Sequence, residues 1–331
     1  VDIELSPLLD DAYLARLASG QRTDRAAVLA AYGNRLRRLL SSRRYDVLWI
    51  QYELFPYLPG MFESLVSMTG RPIVLDYDDA IFHGYDRHSS PLVRGALGNK
   101  LAPLIRRAEV CICGNGYLAS YAARFSDRVA VVPTVVNTDQ YAPAVRDPAD
   151  APVVGWIGSP STWSAHLLPR VPDILSVCRE ADARLRVVGG GPGSDLEGIE
   201  SLGWREDREI SAIQGMDIGI MPLPDDHWAR GKCGYKIIQY LACGLPAIAS
   251  PVGVNSEIIE HGVNGFLAST EKEWRDALRT LLASPERRGE MGRLGRARIV
   301  KRYSMASQQH RILKLLQVAA ARQGAAAVAE V

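Results

Sequence analysis

The run Lys232-Cys-Gly234-Tyr235-Lys236-Ile-Ile-Gln239-Tyr-Leu-Ala-Cys-Gly244-Leu-Pro246 sets two lysines around a glycine at the head of an amphipathic segment. Gly234 lets the backbone come close to a ligand, and the helix that follows directs its unpaired N–H groups back at that loop. Free amides and the helix dipole together favour an anion there, and Lys232 and Lys236 add two cationic side chains. A diphosphate is the group that suits such a spot.

Other stretches supply polar groups at the ends of strand-like runs. Val154-Gly-Trp-Ile-Gly158-Ser159 reads as a strand ending in a Gly-Ser loop. In open parallel sheets ligands bind beyond the carboxyl ends of the strands, although the same residues also make ordinary turns. Arg184-Leu-Arg-Val-Val-Gly189-Gly-Gly191 resembles a phosphate cradle only weakly, because it lacks the spacing and the helix start of a dinucleotide fingerprint. Trp204 and Arg205 follow a further strand, with packing and ligand contact both open for the indole. Asp225 and Asp226 read either as sugar-hydroxyl partners or as solvated loop acids. Asp76-Tyr-Asp78-Asp79 closes a strand with three acids. An Asp-x-Asp can hold a divalent cation with a diphosphate, but the phosphate-binding elements sit in the other half. Helix capping is the structural reading of these acids, no metal is assigned, and an acceptor-facing role is only what a family resemblance implies.

These groups need a scaffold, and short β-rich runs alternating with helical ones predict parallel sheets with crossover helices. Strands are expected at 1–6, 46–51, 72–77, 109–113 and 129–132, with a helix over 24–41 carrying Val28, Leu29, Tyr32, Leu36, Leu39 and Leu40 on one face. A connection with Pro143, Pro148 and Pro152 spans about 138–152. Strands resume at 153–158, 184–189, 199–203, 216–221 and 246–250, and helices follow at about 271–283, 286–300 and 304–323. The predicted division is a first Rossmann-like domain over 1–145, a second over 146–305, and a last helix over 306–331 with a frayed tail from Gly324.

The 331 residues, 47% apolar and 23% charged, have room for two cores, and a net charge of +2 gives no electrostatic case for nucleic acid. No apolar run reaches the roughly 20 residues of a membrane span. Five irregularly spaced cysteines make neither a disulfide framework nor a zinc site, which fits a reduced cytoplasmic setting. Arg35, Arg37, Arg38, Arg43 and Arg44 form a basic run without an acid; it reads as a solvated helix face, or as a peripheral contact with the inner face of a membrane.

Residues 232–267 resemble the donor half of retaining family 4 glycosyltransferases, the group 1 enzymes with the GT-B fold. The resemblance rests on Gly234, Ala242, Gly244, Pro246, Ile248, Ala249 and the Asn264-Gly265-Phe266-Leu267 run. It implies two Rossmann-like domains facing a cleft and transfer of a sugar from a nucleotide-diphosphate donor to a saccharide or lipid-linked acceptor. Cell-surface polysaccharide or glycolipid synthesis is the implied setting, with no cofactor. It further implies that Gly158, Ser159, Gly189, Trp204, Arg205, Lys232, Gly234, Tyr235, Lys236 and Gln239 bind the donor. Asp78 and Asp79 would then act beside the transferring sugar. The family's two glutamates are replaced by Gly231 and Gln239, which leaves Gln239 to meet the ribose. Nothing ahead of Val1 supplies the first βα unit that the resemblance calls for, so the chain is expected to be a piece lacking it. The lost glutamates leave two rivals, a non-catalytic nucleotide-binding subunit and a nucleotide-sugar epimerase.

Overall fold

A computed structural model describes residues 2–18, 24–145 and 150–329. They form two packed units. The first takes in residues 2–77, Ile81–Val131 and the chain from Leu313 on; the second takes in Asp78–Ala80 and Val132–Ile312. The division thus falls at Val131–Val132. Residues 146–149 of the proline-rich connection lie outside the described residues.

The first unit is built on a parallel sheet ordered β1-β2-β3-β4, from Leu48–Gln51, Ile73–Tyr77, Val110–Cys113 and Val129–Val131. All four residues of β3 are buried, as are all of β2 but Asp76. Near-continuous apolar strands are what a sheet covered on both faces requires. The helix Arg25–Leu40 begins where the Asp24 carboxylate accepts from the amides of Ala26 and Ala27. Its predicted apolar face is only partly used: Leu39 is buried, while Leu29 and Leu40 are exposed.

The expected strand over residues 1–6 is absent among the described residues; residues 2–10 carry no regular structure. Alternation alone suggested it, but Ile3 and Leu5 are exposed. Glu4 pairs instead with Arg38 at 3.1 Å and Arg44 at 2.8 Å and accepts from the Tyr45 hydroxyl. Arg35 donates to the Ser6 carbonyl at 3.0 Å, so the basic run does meet an acid.

The second unit holds a six-stranded parallel sheet ordered β10-β9-β8-β5-β6-β7. The strands are β5 (Val153–Ile157), β6 (Arg184–Val188), β7 (Ile199–Leu202), β8 (Ile218–Met221), β9 (Ala247–Ala249) and β10 (Gly265–Leu267). Alternate residues face two cores. Val154, Trp156, Leu185, Val187 and Ile220 pack with the helices Val171–Glu180 and Glu271–Leu282. Val153, Ile157, Val188 and Met221 pack with the helix Tyr235–Ala242 and with Ile299 of the helix Pro285–Arg302. The last helix, Met305–Ala329, runs on through the tail that was expected to fray from Gly324. Strand β10 was not anticipated, being three residues long and too short to show alternation.

The order of this sheet fixes where a ligand belongs. From β5 the chain moves to β6 and β7 on one side, then returns to β8, β9 and β10 on the other. The reversal opens a crevice between the carboxyl ends of β5 and β8.

Candidate functional site

One buried phenol assembles the crevice. Tyr240, fully buried on the helix Tyr235–Ala242, accepts from the Ile157 amide at 3.1 Å and donates to the Ile220 carbonyl at 3.4 Å. It thereby holds the ends of β5 and β8 against the helix that starts at the lysine-bearing loop. Gly234 caps that helix with φ +69°, a left-handed conformation that side chains other than glycine's strain to adopt.

The helix start carries Lys236 back to the end of β5. Its Nζ lies 4.3 Å from the centroid of the Trp156 ring. A Cβ placed on Gly158 would fall 2.4 Å from two atoms of the Trp156 ring and 2.7 Å from the same nitrogen, so the bare backbone leaves room for the indole and the amine that lies over it. Among the described residues Lys236 has no hydrogen bond and no ion pair. Burial first, then repulsion from Lys232, brings its pKa down to about 7. The His166 imidazole shares this field: burial lowers its pKa, Lys236 and Lys232 lower it further, and Asp226 opposes them. Three basic groups thus bear on one spot, and of the two lysines only Lys236 has no ion pair among the described residues.

The two lysines of the loop are placed differently. Lys232 pairs with Asp79 at 3.4 Å, whereas Lys236 is the amine against Gly158. The Asp79 carboxylate also accepts from the Ala80 amide at 2.8 Å, and Cys233 Sγ donates to the Asp78 carbonyl at 3.1 Å. Asp78 itself is exposed. Asp79 thus reaches the lysine loop with its carboxylate and Asp78 with its backbone carbonyl, and Asp78–Ala80 belong to the second unit.

The glycine turn after β6 adjoins the end of β5. A Cβ on Gly189 would lie 2.2 Å from the Gly158 carbonyl oxygen and 3.1 Å from Trp204 Cβ. Gly158, Gly189 and Trp204 are therefore brought together as neighbours. Ser159 is exposed, its amide donating to Thr162 Oγ1 at 3.0 Å at the head of the next turn. Arg205 is turned into an exposed pair with Asp207 at 3.0 Å, and Tyr235 is exposed at the helix start.

Gln239 lies deeper than the sequence implied, at 2% exposure. Its Nε2 donates to Glu209 at 2.6 Å and to the Tyr141 hydroxyl at 3.1 Å. Tyr141 donates to the same Glu209 oxygen, and Trp204 Nε1 donates to the other at 2.6 Å. Arg296 fixes the loop that carries Tyr141, donating to the carbonyls of Thr138 at 3.0 Å and Tyr141 at 2.7 Å. Glu209, Tyr141 and Trp156 were missed by sequence reasoning. Among the described residues no cluster of three or more His, Cys, Asp or Glu could hold a metal ion, and no helix is long and apolar enough to cross a membrane.

Two parallel-sheet units, the second with its sheet reversal at β5 and β8, give this chain the GT-B fold. The Anabaena protein Alr3699/HepE, solved with UDP and glucose, shares it with a TM-score of 0.67 at 17% identity, over 87% of this chain and 81% of that one. A sucrose-phosphate synthase from Thermosynechococcus elongatus matches with a TM-score of 0.62 at 15% identity, over 90% of this chain and 81% of that one. Residues 151–284 match the sequence model of the family described as Glycosyl transferases group 1. A D-inositol 3-phosphate glycosyltransferase of Segniliparus rotundus is 28% identical over 209 residues, 54% of this chain and 45% of that relative. The chain thus spans less than half of that relative's length. A phosphatidyl-myo-inositol mannosyltransferase of Propionibacterium freudenreichii is 22% identical over 301 residues, 83% of this chain and 74% of the relative.

Proposed function

We propose that the chain is a glycosyltransferase that moves a sugar from a nucleotide-diphosphate donor to a saccharide or lipid-linked acceptor, with retention at the anomeric carbon. The observation that carries this reading is the Lys236 amine, enclosed at the sheet reversal beside Gly158 with no anionic partner among the described residues. A half-buried ammonium without a counter-charge is costly, and a diphosphate in the crevice supplies one. The relatives named as glycosyltransferases and the fold neighbours solved with UDP support the same class of donor.

In this reading the reaction leaves its new negative charge on the departing diphosphate. The helix amides at Gly234 and a protonated Lys236 stabilise that charge more than they stabilise the intact donor, which lowers the barrier. As the diphosphate approaches, its field raises the proton affinity of an amine otherwise poised near neutrality. Lys232, tethered to Asp79, is a secondary cation, and Asp78 is assigned to the transferring sugar. Synthesis of a surface polysaccharide or glycolipid on the cytoplasmic side is the setting proposed.

The test is a calorimetric titration with UDP, GDP, dTDP and ADP, followed by turnover of the matching nucleotide sugars with and without acceptor mixtures. At least one nucleotide is expected to bind, and release of the nucleotide should require acceptor. Failure of all four to bind would overturn the proposal, and donor conversion without acceptor would favour an epimerase.

A further inference from the structure

The carboxylate of Glu209 is not used by the diphosphate reading, yet it is held by more neutral donors than a surface acid needs. It stands half-buried on the helix Glu206–Gln214. One oxygen accepts from the Tyr141 hydroxyl and from Gln239 Nε2; the other accepts from Trp204 Nε1. Among the described residues it has no ion pair. A carboxylate only accepts, so Gln239 must present its nitrogen to Glu209, and the orientation of that buried amide is fixed by its partner.

The placement matters as much as the bonding. Gly158 touches the Lys236 amine on one side and Gly189 on the other, and Gly189 abuts Trp204, whose indole reaches Glu209. The cationic spot and the carboxylate therefore lie along one rim formed by the ends of β5 and β6 and the segment after β7. Three of roughly four lone-pair directions on the carboxylate are filled, and the third is filled by a side chain that is 52% exposed. A ligand group that satisfies Glu209 must donate hydrogen bonds, and two neighbouring hydroxyls would fill the vacant direction and replace the indole N–H.

We infer that Glu209 is the residue that reads the ribose diol of the donor nucleotide, with Gln239 and Tyr141 positioning its carboxylate. This rests on the nucleotide-diphosphate reading above and assigns the sugar of the nucleotide to a residue on a different helix from Gln239. Gln239 then has a task that does not require it to touch ligand: its amide holds one carboxylate oxygen so that the other faces the rim.

The experiment compares dissociation constants of whichever nucleoside diphosphate binds with those of its 2′-deoxy counterpart, using the full chain, wild type and variants. Wild type is expected to prefer the ribonucleotide by about tenfold, as befits a hydrogen bond to a charged group. Glu209→Gln should bring the two constants within about twofold by weakening only the ribonucleotide, because an amide facing the diol loses the charged acceptor. Glu209→Asp, which keeps the charge but withdraws it by one methylene, should give an intermediate ratio and serves if the amide variant does not fold. Gln239→Leu should lower the ratio while leaving 2′-deoxynucleotide affinity nearly unchanged, which a merely structural loss would not do. An undiminished ratio in Glu209→Gln, or no preference in wild type, overturns the inference and leaves the diphosphate reading standing. Wild type that binds no nucleotide overturns both.

Discussion

Among the described residues each unit shelters an ammonium, Lys100 buried and Lys236 half-buried, and the two are treated in opposite ways. In the first, Lys100 donates to Glu53, to Glu63 at 3.1 Å and to the Phe55 carbonyl at 2.9 Å, with its Nζ 4.8 Å from the Tyr85 ring centroid. Glu63 is fully buried and accepts in turn from the amides of Leu54 and Phe55, while the Tyr85 hydroxyl donates to Glu53. Every strong group in that cluster is answered by another. Lys236 in the second unit has an aromatic face and a bare backbone for company. A closed network of buried charge shapes the chain that follows β1; an open one is arranged around something that arrives later.

The comparison is most exposed to Lys100→Met. Two carboxylates would be left buried without their cation, a loss of about 3–5 kcal/mol, read by urea or guanidinium denaturation. Nucleotide affinity of the folded fraction should be unchanged, and a loss below about 1 kcal/mol would mean the cluster is not the closed system described. Lys236→Met should do the reverse. Stability is expected to hold or rise, while nucleoside-diphosphate affinity falls by about 1.5–3 kcal/mol in calorimetry. Equal losses of stability in the two variants would erase the distinction.

The proton on Lys236 sharpens it further. With a folded pKa of about 7 against an ordinary value of 10.5, the unfolded chain binds more protons between those limits. Stability should therefore rise with pH from about 7 toward 10.5, by at most about 1.4 kcal/mol per unit from this group, and that slope should vanish in Lys236→Met. Diphosphate affinity has the opposite sign, because binding needs the charged amine. Above pH 7 it should fall by up to about tenfold per unit, with proton uptake visible as a buffer-dependent heat of binding. The smallest effect is expected from Lys232→Ala, whose partly exposed pair with Asp79 is worth about 0–1 kcal/mol in thermal or chemical unfolding.

Much of this was legible in the chain because it is local. Apart from β10, the strands of both sheets stand where apolar runs bounded by turn residues put them, and the lysine loop announced itself through Gly234 and the helix behind it. The orientation of Lys236 was not local. Its neighbours Ile237, Ile238, Tyr240 and Leu241 define the buried face, and only the approach of Gly158 over a flat Trp156 ring gives a lysine at the edge of that face room to turn inward. Glu209 was hidden for a related reason. It shares the first turn of its helix with Glu206 and Asp207, where acids are expected for the helix dipole alone. What sets it apart is Gln239, 30 residues away. The false strand at the start shows the converse: alternation without a neighbour to pair with does not make a sheet, and Glu4 follows the arginines instead.

The last helix gives the molecule a schedule. Residues from Leu313 on pack with the first unit, although everything from Val132 to Ile312 belongs to the second. On the ribosome, the strands β1 to β4 emerge early, whereas the segment from Leu313 that groups with them follows only after the whole of the second unit. The half that carries the crevice is therefore complete in sequence before the half that precedes it.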